Sequence, residues 1–189
     1  MGRWEPDAQG RLQQAALVLF VERGFEQTTV ADIARLAGVT ERTFFRHFAD
    51  KREVLFAGQD ALRETFVTGI AAAPVGASPR DVMIAALDAA ASFFRPERRP
   101  FARDRHSVIE ANPSLQEREL LKLAGLAAAL ADALRARGVD GSVAGLTGET
   151  AMAVFKVSFL RWITDPDDRD LLTIQHQTLA ALTEVTTPS

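Results

Sequence analysis

Cysteine is absent from this chain of 189 residues. That excludes disulfides, thiolate metal sites and a cysteine nucleophile, and it suits a reducing cytoplasm. Lysine is scarce: Lys51, Lys122 and Lys156 stand among 22 basic residues, so cationic chemistry rests on arginine. No uninterrupted apolar run reaches about 18 residues, and Met1–Gly10 is polar, so neither a membrane span nor a secretory leader is expected. An excess of positive charge is missing too. The net charge is −3, and Met1–Lys51 carries seven basic against seven acidic residues. Binding to nucleic acid would therefore need a local patch rather than a global field. The chain holds no nucleophile–base motif, P-loop, glycine-rich dinucleotide fingerprint or zinc-ligand spacing. An enzyme is not expected, nor a cofactor, nor a resident metal.

What is present is helical in pattern. Apolar residues recur at spacings of three and four, and no stretch alternates long enough to read as a strand. The expectation is an all-α fold of about nine helices. Leu12, Ala16, Leu19 and Phe20 share one face of the first helix, which Gly24 stops. Thr29 and Asp32 have capping-box spacing and open a short helix to Leu36. Thr40 caps a second, Glu41–Phe48. Asp50 and Glu53 repeat the cap spacing and open what reads as one long helix to Ala72, with Leu55, Leu62, Phe66 and Ile70 on its apolar face. Ser78-Pro79, Asn112-Pro113 and Asp165-Pro166 each set a capping side chain before a proline at the first helical position, where the missing N–H has no helical partner. They open helices over 79–94, 113–137 and 166–185; Pro100 starts another to Ala111, and a further helix covers 142–164. The expected division is a small unit over 1–51 and a larger helical domain over 52–189.

The informative segment is Thr28–Lys51. Two short helices are joined by Ala37-Gly38-Val39, and a three-residue turn with glycine is what a helix-turn-helix needs. Ile33, Ala34, Val39 and Phe44 can bury the inner faces against Leu19 and Phe20. The outer face of the second helix then shows Glu41, Arg42, Thr43, Arg46 and His47, groups able to reach base edges and phosphates in a major groove. Lys51 and Arg52 fall in a first helical turn, where the macrodipole disfavours cations. A phosphate docked at that helix N-terminus would account for them; ordinary solvated charge is the other reading.

Thr28-Thr29-Val30-x-Asp32-Ile33-Ala34, Ala37-Gly38-Val39-Thr40, Thr43-Phe44-Phe45-x-His47-Phe48 and Lys51 resemble the signature of the TetR family, as do Gly24-Phe25 before them and Val54-Leu55-Phe56 after. The resemblance implies a transcriptional repressor: a homodimer that sets two recognition helices in successive major grooves of double-stranded operator DNA. It implies phosphate or base contacts from Thr43, Phe45, His47 and Lys51, and Thr29 joins that candidate set. Two positions depart from the family. Phe45 stands where Tyr is common and has no hydroxyl to donate, and Ala31 stands where many members carry Arg. Backbone contacts are then expected to shift to Arg42, Arg46 or Arg52. Arg3 is open to two readings, an arm for the minor groove or a disordered end.

Further along, Arg105-His106-x-x-Ile109-x-Ala111-Asn112-Pro113-x-Leu115-Gln116-Glu117-Arg118-Glu119 and Ala153-Val154-Phe155-x-Val157-x-Phe159 resemble the TetR subgroup related to the MftR C-terminal domain. That resemblance implies a small-molecule effector, acyl-CoA-like or otherwise hydrophobic. The residues themselves allow a pocket or a plain core: Phe66, Met83, Phe94, Phe101, Phe155 and Phe159 are bulky groups on different helices. Arg105 and His106 are its polar candidates. The run Arg95, Arg98, Arg99, Arg103 and Arg105 can meet ligand phosphates or form a solvated face. His106 and Glu110 share a helical face but lack an evident third metal ligand. Leu172, Leu179 and Leu182 form a stripe on the last helix and, with the apolar surplus of 142–164, are expected to build a four-helix dimer interface. Two other classes stay open, an architectural DNA-binding protein without an effector and a lipid carrier with a vestigial helix-turn-helix.

Overall fold

The computed structural model of the chain describes residues 7–186; Arg3 lies outside them. Among the described residues there are nine α-helices, two short 3-10 turns and no strand. The helices are α1 (Ala8–Arg23), α2 (Val30–Leu36), α3 (Glu41–His47), α4 (Gln59–Ala72), α5 (Pro79–Ala91), α6 (Arg99–Glu110), α7 (Pro113–Ala136), α8 (Gly141–Thr164) and α9 (Leu171–Thr186). Local chemistry sets most of their starts. Thr29 Oγ1 accepts from the Asp32 amide at 3.1 Å while the Asp32 carboxylate accepts from the Thr29 amide at 3.3 Å, a reciprocal box with Asp in place of the longer Glu. Thr40 and Ser78 accept from the amides of Thr43 and Asp81 at 3.2 Å each.

Two starts and one cap differ from what the sequence pattern suggests. Asp50 does cap, accepting from the Glu53 amide at 3.1 Å, but it opens only a 3-10 turn, Glu53–Phe56. Val54, Leu55 and Phe56 are all buried, and three consecutive residues cannot share one face of an α-helix. The chain then breaks at Ala57-Gly58, with Gly58 at φ +90°, a conformation cheap only for glycine. The expected helix from Asp50 to Ala72 is therefore two elements. The second difference lies after α8. Asp165-Pro166 does not open α9; Asp165 instead accepts from the Arg169 amide at 2.9 Å and from its guanidinium. Asp170 caps α9, accepting from the Thr173 amide at 2.7 Å. Third, the Asn112 side chain turns back and donates to the Val108 carbonyl at 2.6 Å, closing α6.

Two compact units result. The first comprises the described residues up to Gly58 together with Phe101–Glu119. This division falls after Gly58 and is discontinuous, with Phe101–Glu119 in the first unit. Its core joins Leu12, Leu19 and Phe20 of α1, Ile33, Phe44, Leu55 and Phe56 with Val108, Ile109 and Leu115. Arg105 ties α6 into this unit. Its Nε donates to the Leu55 carbonyl at 2.6 Å, its Nη2 to Glu119 at 2.7 Å, and its guanidinium lies 5.1 Å from the Phe56 ring centroid. Arg118 Nε donates to Glu53 at 2.7 Å.

The second unit comprises Gln59–Pro100 and everything from Leu120 onward. In it α5, α8 and α9 pack on one another, and α4 lies on α5. By length and composition α8 is long and apolar enough to cross a membrane, which the sequence reading did not expect. In the fold its Ala144, Ala151, Phe155 and Trp162 face is buried, and Glu149, Lys156 and Arg161 are exposed.

Arg169 draws the Asp165 carboxyl from 3.8 down to about 2, chiefly through the hydrogen bonds of its side chain, against the opposing effect of burial. A depressed carboxylate contributes stability above its unfolded pKa and loses it as pH falls through the folded one. Asp165→Asn should therefore lower the urea midpoint at neutral pH, and the difference from the parent should close as pH falls from about 3.8 toward about 2. A difference independent of pH would contradict this role.

Candidate functional site

The reading helix α3 is fixed by what it buries. Phe44 is inaccessible and Phe48 nearly so, and their ring centroids are 5.4 Å apart. Gly38, at φ +69°, turns the chain between α2 and α3. With that face held, Glu41, Arg42, Phe45, Arg46 and His47 are exposed and Thr43 is half-buried. Phe45 is 55% exposed, a large apolar group left in water. The Thr43 hydroxyl pairs with that of Thr40 at 3.1 Å. Thr29 spends its hydroxyl proton on Asp32 at 2.6 Å, so its role in this structure is that of a cap.

Lys51 departs from expectation. Its Nζ donates to the carbonyls of Phe25 at 2.8 Å, Thr28 at 3.2 Å and Glu26 at 3.4 Å, and it sits 4.3 Å from the Phe25 ring centroid. An ammonium has three donors, and all are used. Arg52 is likewise taken, donating to Asp50 through Nη2 at 2.7 Å. Behind them stands only a four-residue 3-10 turn, not the N-terminus of an α-helix. In this structure the Lys51 donors are spent on carbonyls of the α1–α2 turn. No spacing rule reveals a contact across 23 to 26 residues.

In the second unit an aromatic cluster forms. Phe155 lies 5.5 Å from Phe66, 5.6 Å from Phe94 and 6.1 Å from Phe159 between ring centroids. Trp162, which the sequence reading missed, joins it at 5.8 Å from Phe94 and 5.9 Å from Phe159. Its signal was the helical spacing Phe155-Phe159-Trp162 on α8. Met83 is buried on α5 of the same unit. Phe101, Arg105 and His106 are also among the expected pocket residues. They stand on α6 in the first unit, where Phe101 packs on the core and Arg105 is committed to Leu55 and Glu119. Within the arginine run, Arg99 is also turned inward. Only 4% exposed, it donates to Asp168 at 2.6 Å and to the Arg169 carbonyl at 2.5 Å. Arg95, Arg98 and Arg103 are exposed.

The leucine stripe divides. Leu172 is 41% exposed, Leu182 half-buried, and Leu179 buried within its own chain. Leu179 thus serves the protomer's core. In the second unit, exposed large apolar side chains also stand on α8, at Val143, Leu146 and Val157, and on α7, at Leu120 and Leu121.

Lys51→Met should destabilise the first unit by about 1–3 kcal/mol, the cost of leaving partly buried carbonyls without their charged donor. Urea denaturation reads it. A variant of parental stability whose DNA binding loses about one unit of salt slope would restore the phosphate role.

Residues 12–57 match the family described as bacterial regulatory proteins, tetR family, and residues 60–187 match the MftR C-terminal domain. The HTH-type transcriptional regulator TcmR of Streptomyces glaucescens is 42% identical over 79 residues, 42% of this chain and 35% of that protein. CymR of Pseudomonas putida, also an HTH-type transcriptional regulator, is 31% identical over 112 residues, 59% of this chain and 55% of its own length. The matched stretches thus span about a third to about half of these curated relatives. Among solved structures, Thermus thermophilus FadR, a TetR family transcriptional repressor in complex with lauroyl-CoA, superposes with a TM-score of 0.55 at 25% identity, covering 96% of each chain. Bacillus subtilis FadR in complex with stearoyl-CoA shares the fold, with a TM-score of 0.62 at 18% identity over 92% of this chain and 96% of that one. With both halves of the chain matched in order, the chain belongs to the TetR family of bacterial regulatory proteins.

Proposed function

We propose that this chain is a cytoplasmic, homodimeric transcriptional repressor that leaves a near-palindromic operator when a hydrophobic, acyl-CoA-like ligand occupies its second unit. The observation that carries the DNA half is the two-sidedness of α3. Phe44 and Phe48 lock its inner face, and Arg42, Phe45, Arg46 and His47 stand outward. Arg42 near the helix start reads a base edge, where a bidentate pair with guanine is favourable. Phe45 lacks a phosphate-donating hydroxyl but suits a thymine methyl, and that contact gives an exposed aromatic ring a use. Arg46, His47 and Thr43 position the helix on phosphates.

The ligand half rests on the aromatic cluster around Phe155 and on the likeness to lauroyl-CoA-bound FadR over nearly the whole chain. Dimerisation rests on the exposed Val143, Leu146 and Val157 of α8 with Leu172 of α9. Two such helices from each copy make a four-helix contact that buries them.

Selection of operators from random DNA tests the reading head. Arg42→Ala should relax one position at a cost of about 1–3 kcal/mol, and Phe45→Ala should relax a thymine. An unchanged selected motif in both variants contradicts the base contacts. For the effector, lauroyl-CoA should weaken operator binding by about 5–150-fold; no change at saturating ligand removes acyl-CoA from the reading. For assembly, Val157→Glu should sediment as a folded monomer, whereas Leu179→Glu should lose cooperative melting altogether. Dimers of Val157→Glu would place the interface elsewhere.

A further inference from the structure

Beside the aromatic cluster lie polar atoms that find no hydrogen-bond partner among the described residues. They are Arg99 Nε, Ser158 Oγ, Trp162 Nε1 and both amide atoms of Gln175. Ser158, Trp162 and Gln175 are wholly buried. Such groups are rare, because each forfeits its hydration on folding. Their placement is not scattered. The Arg99 guanidinium carbon lies 5.2 Å from the Trp162 ring centroid. Ser158 is one turn before Trp162 on the same face of α8. Gln175 is buried on α9, which packs on α8. Other helical hydroxyls of this unit satisfy themselves: Thr147, Thr164 and Thr178 each donate to the carbonyl four residues back. Ser158 does not.

Donors dominate this set; Gln175 Oε1 is its one pure acceptor and is left for a hydroxyl or water proton. Arginine Nε–H and indole N–H only donate, and Ser and Gln can do so. The group matched to them is an oxygen acceptor. Arg99 favours one with negative charge, because its ion-pair partner Asp168 is 90% exposed at the side chain and hence weakened by solvent, and Asp165, which also feels Arg99, is bonded to Arg169. A hydrocarbon tail would leave every one of these atoms unpaired. We propose that Arg99, Ser158, Trp162 and Gln175 receive the carbonyl or carboxylate oxygen of the effector, whose apolar body lies against Phe94, Phe155 and Phe159. The site selects acyl compounds by their oxygen as well as their chain. This rests on the ligand-responsive reading above.

Two experiments test it. In ligand-free protein, Ser158→Ala and the near-isosteric Gln175→Met should hold or raise the melting temperature, since each removes a buried polar atom without a partner. A clear fall in both means the folded protein already satisfies them, and overturns the proposal. For binding, lauroyl-CoA is compared with its thioether S-dodecyl-CoA, which replaces the carbonyl by a methylene and keeps chain and nucleotide. Trp4→Phe leaves Trp162 as the sole tryptophan reporter. The thioester should bind about tenfold tighter or more, equivalent to about 1.4 kcal/mol, and Trp162→Phe, followed by calorimetry, should narrow the gap. Equal affinities in the parent overturn the proposal, while operator release by both would leave the acyl-CoA reading standing. Where lauroyl-CoA does not bind, quenching of Trp162 by dodecanoate but not by dodecyltrimethylammonium keeps the oxygen site and removes the acyl-CoA reading. No response to any of these probes overturns both.

Discussion

The reading head depends on one ammonium group. Lys51 follows α3, yet its three donors close on carbonyls of the turn that precedes α2. That turn has no ladder of its own. Thr28 helps from within, its hydroxyl donating to the Gly24 carbonyl at 2.9 Å and to the Leu19 carbonyl at 3.3 Å. Together they fix where Thr29 stands, Thr29 fixes the start of α2, and α2 carries α3 through the Gly38 turn. The direction of Arg42 and Phe45 is inherited from this chain of local constraints.

The same economy governs the other cations. Lys51, Arg99 and Arg105 each cover backbone carbonyls that a helix end, 3-10 turn or loop leaves exposed. Each also lies over an aromatic ring, Phe25, Trp162 and Phe56 respectively. Arg42 and Arg46 on α3 are exposed instead. A head with no net charge still offers exposed cations on α3, in Arg42 and Arg46.

Local chemistry was legible in the sequence. The Thr29–Asp32 box, the Thr40 and Ser78 caps and the glycine turn all depend on residues within one helical turn of each other. What escaped depends on distant partners. Three consecutive buried residues at Val54–Phe56 forced a break that periodicity read as continuous helix. Arg169 captured Asp165 and moved the start of α9 to Leu171. Phe101 looked like a pocket residue, but α6 folds onto the core of the first unit. Leu179 looked like an interface residue, but it is buried within its own chain. Trp162 was missed although its spacing from Phe155 is helical, because a lone tryptophan signals a core as readily as a binding wall.

If a ligand and operator DNA act on one conformational equilibrium, each must weaken the other by the same factor. The most direct measurement is the calorimetric affinity for lauroyl-CoA of the free protein and of the protein saturated with its selected operator. The account predicts that operator lowers ligand affinity by the factor by which ligand lowers operator affinity. A ligand affinity unaffected by bound operator would contradict it.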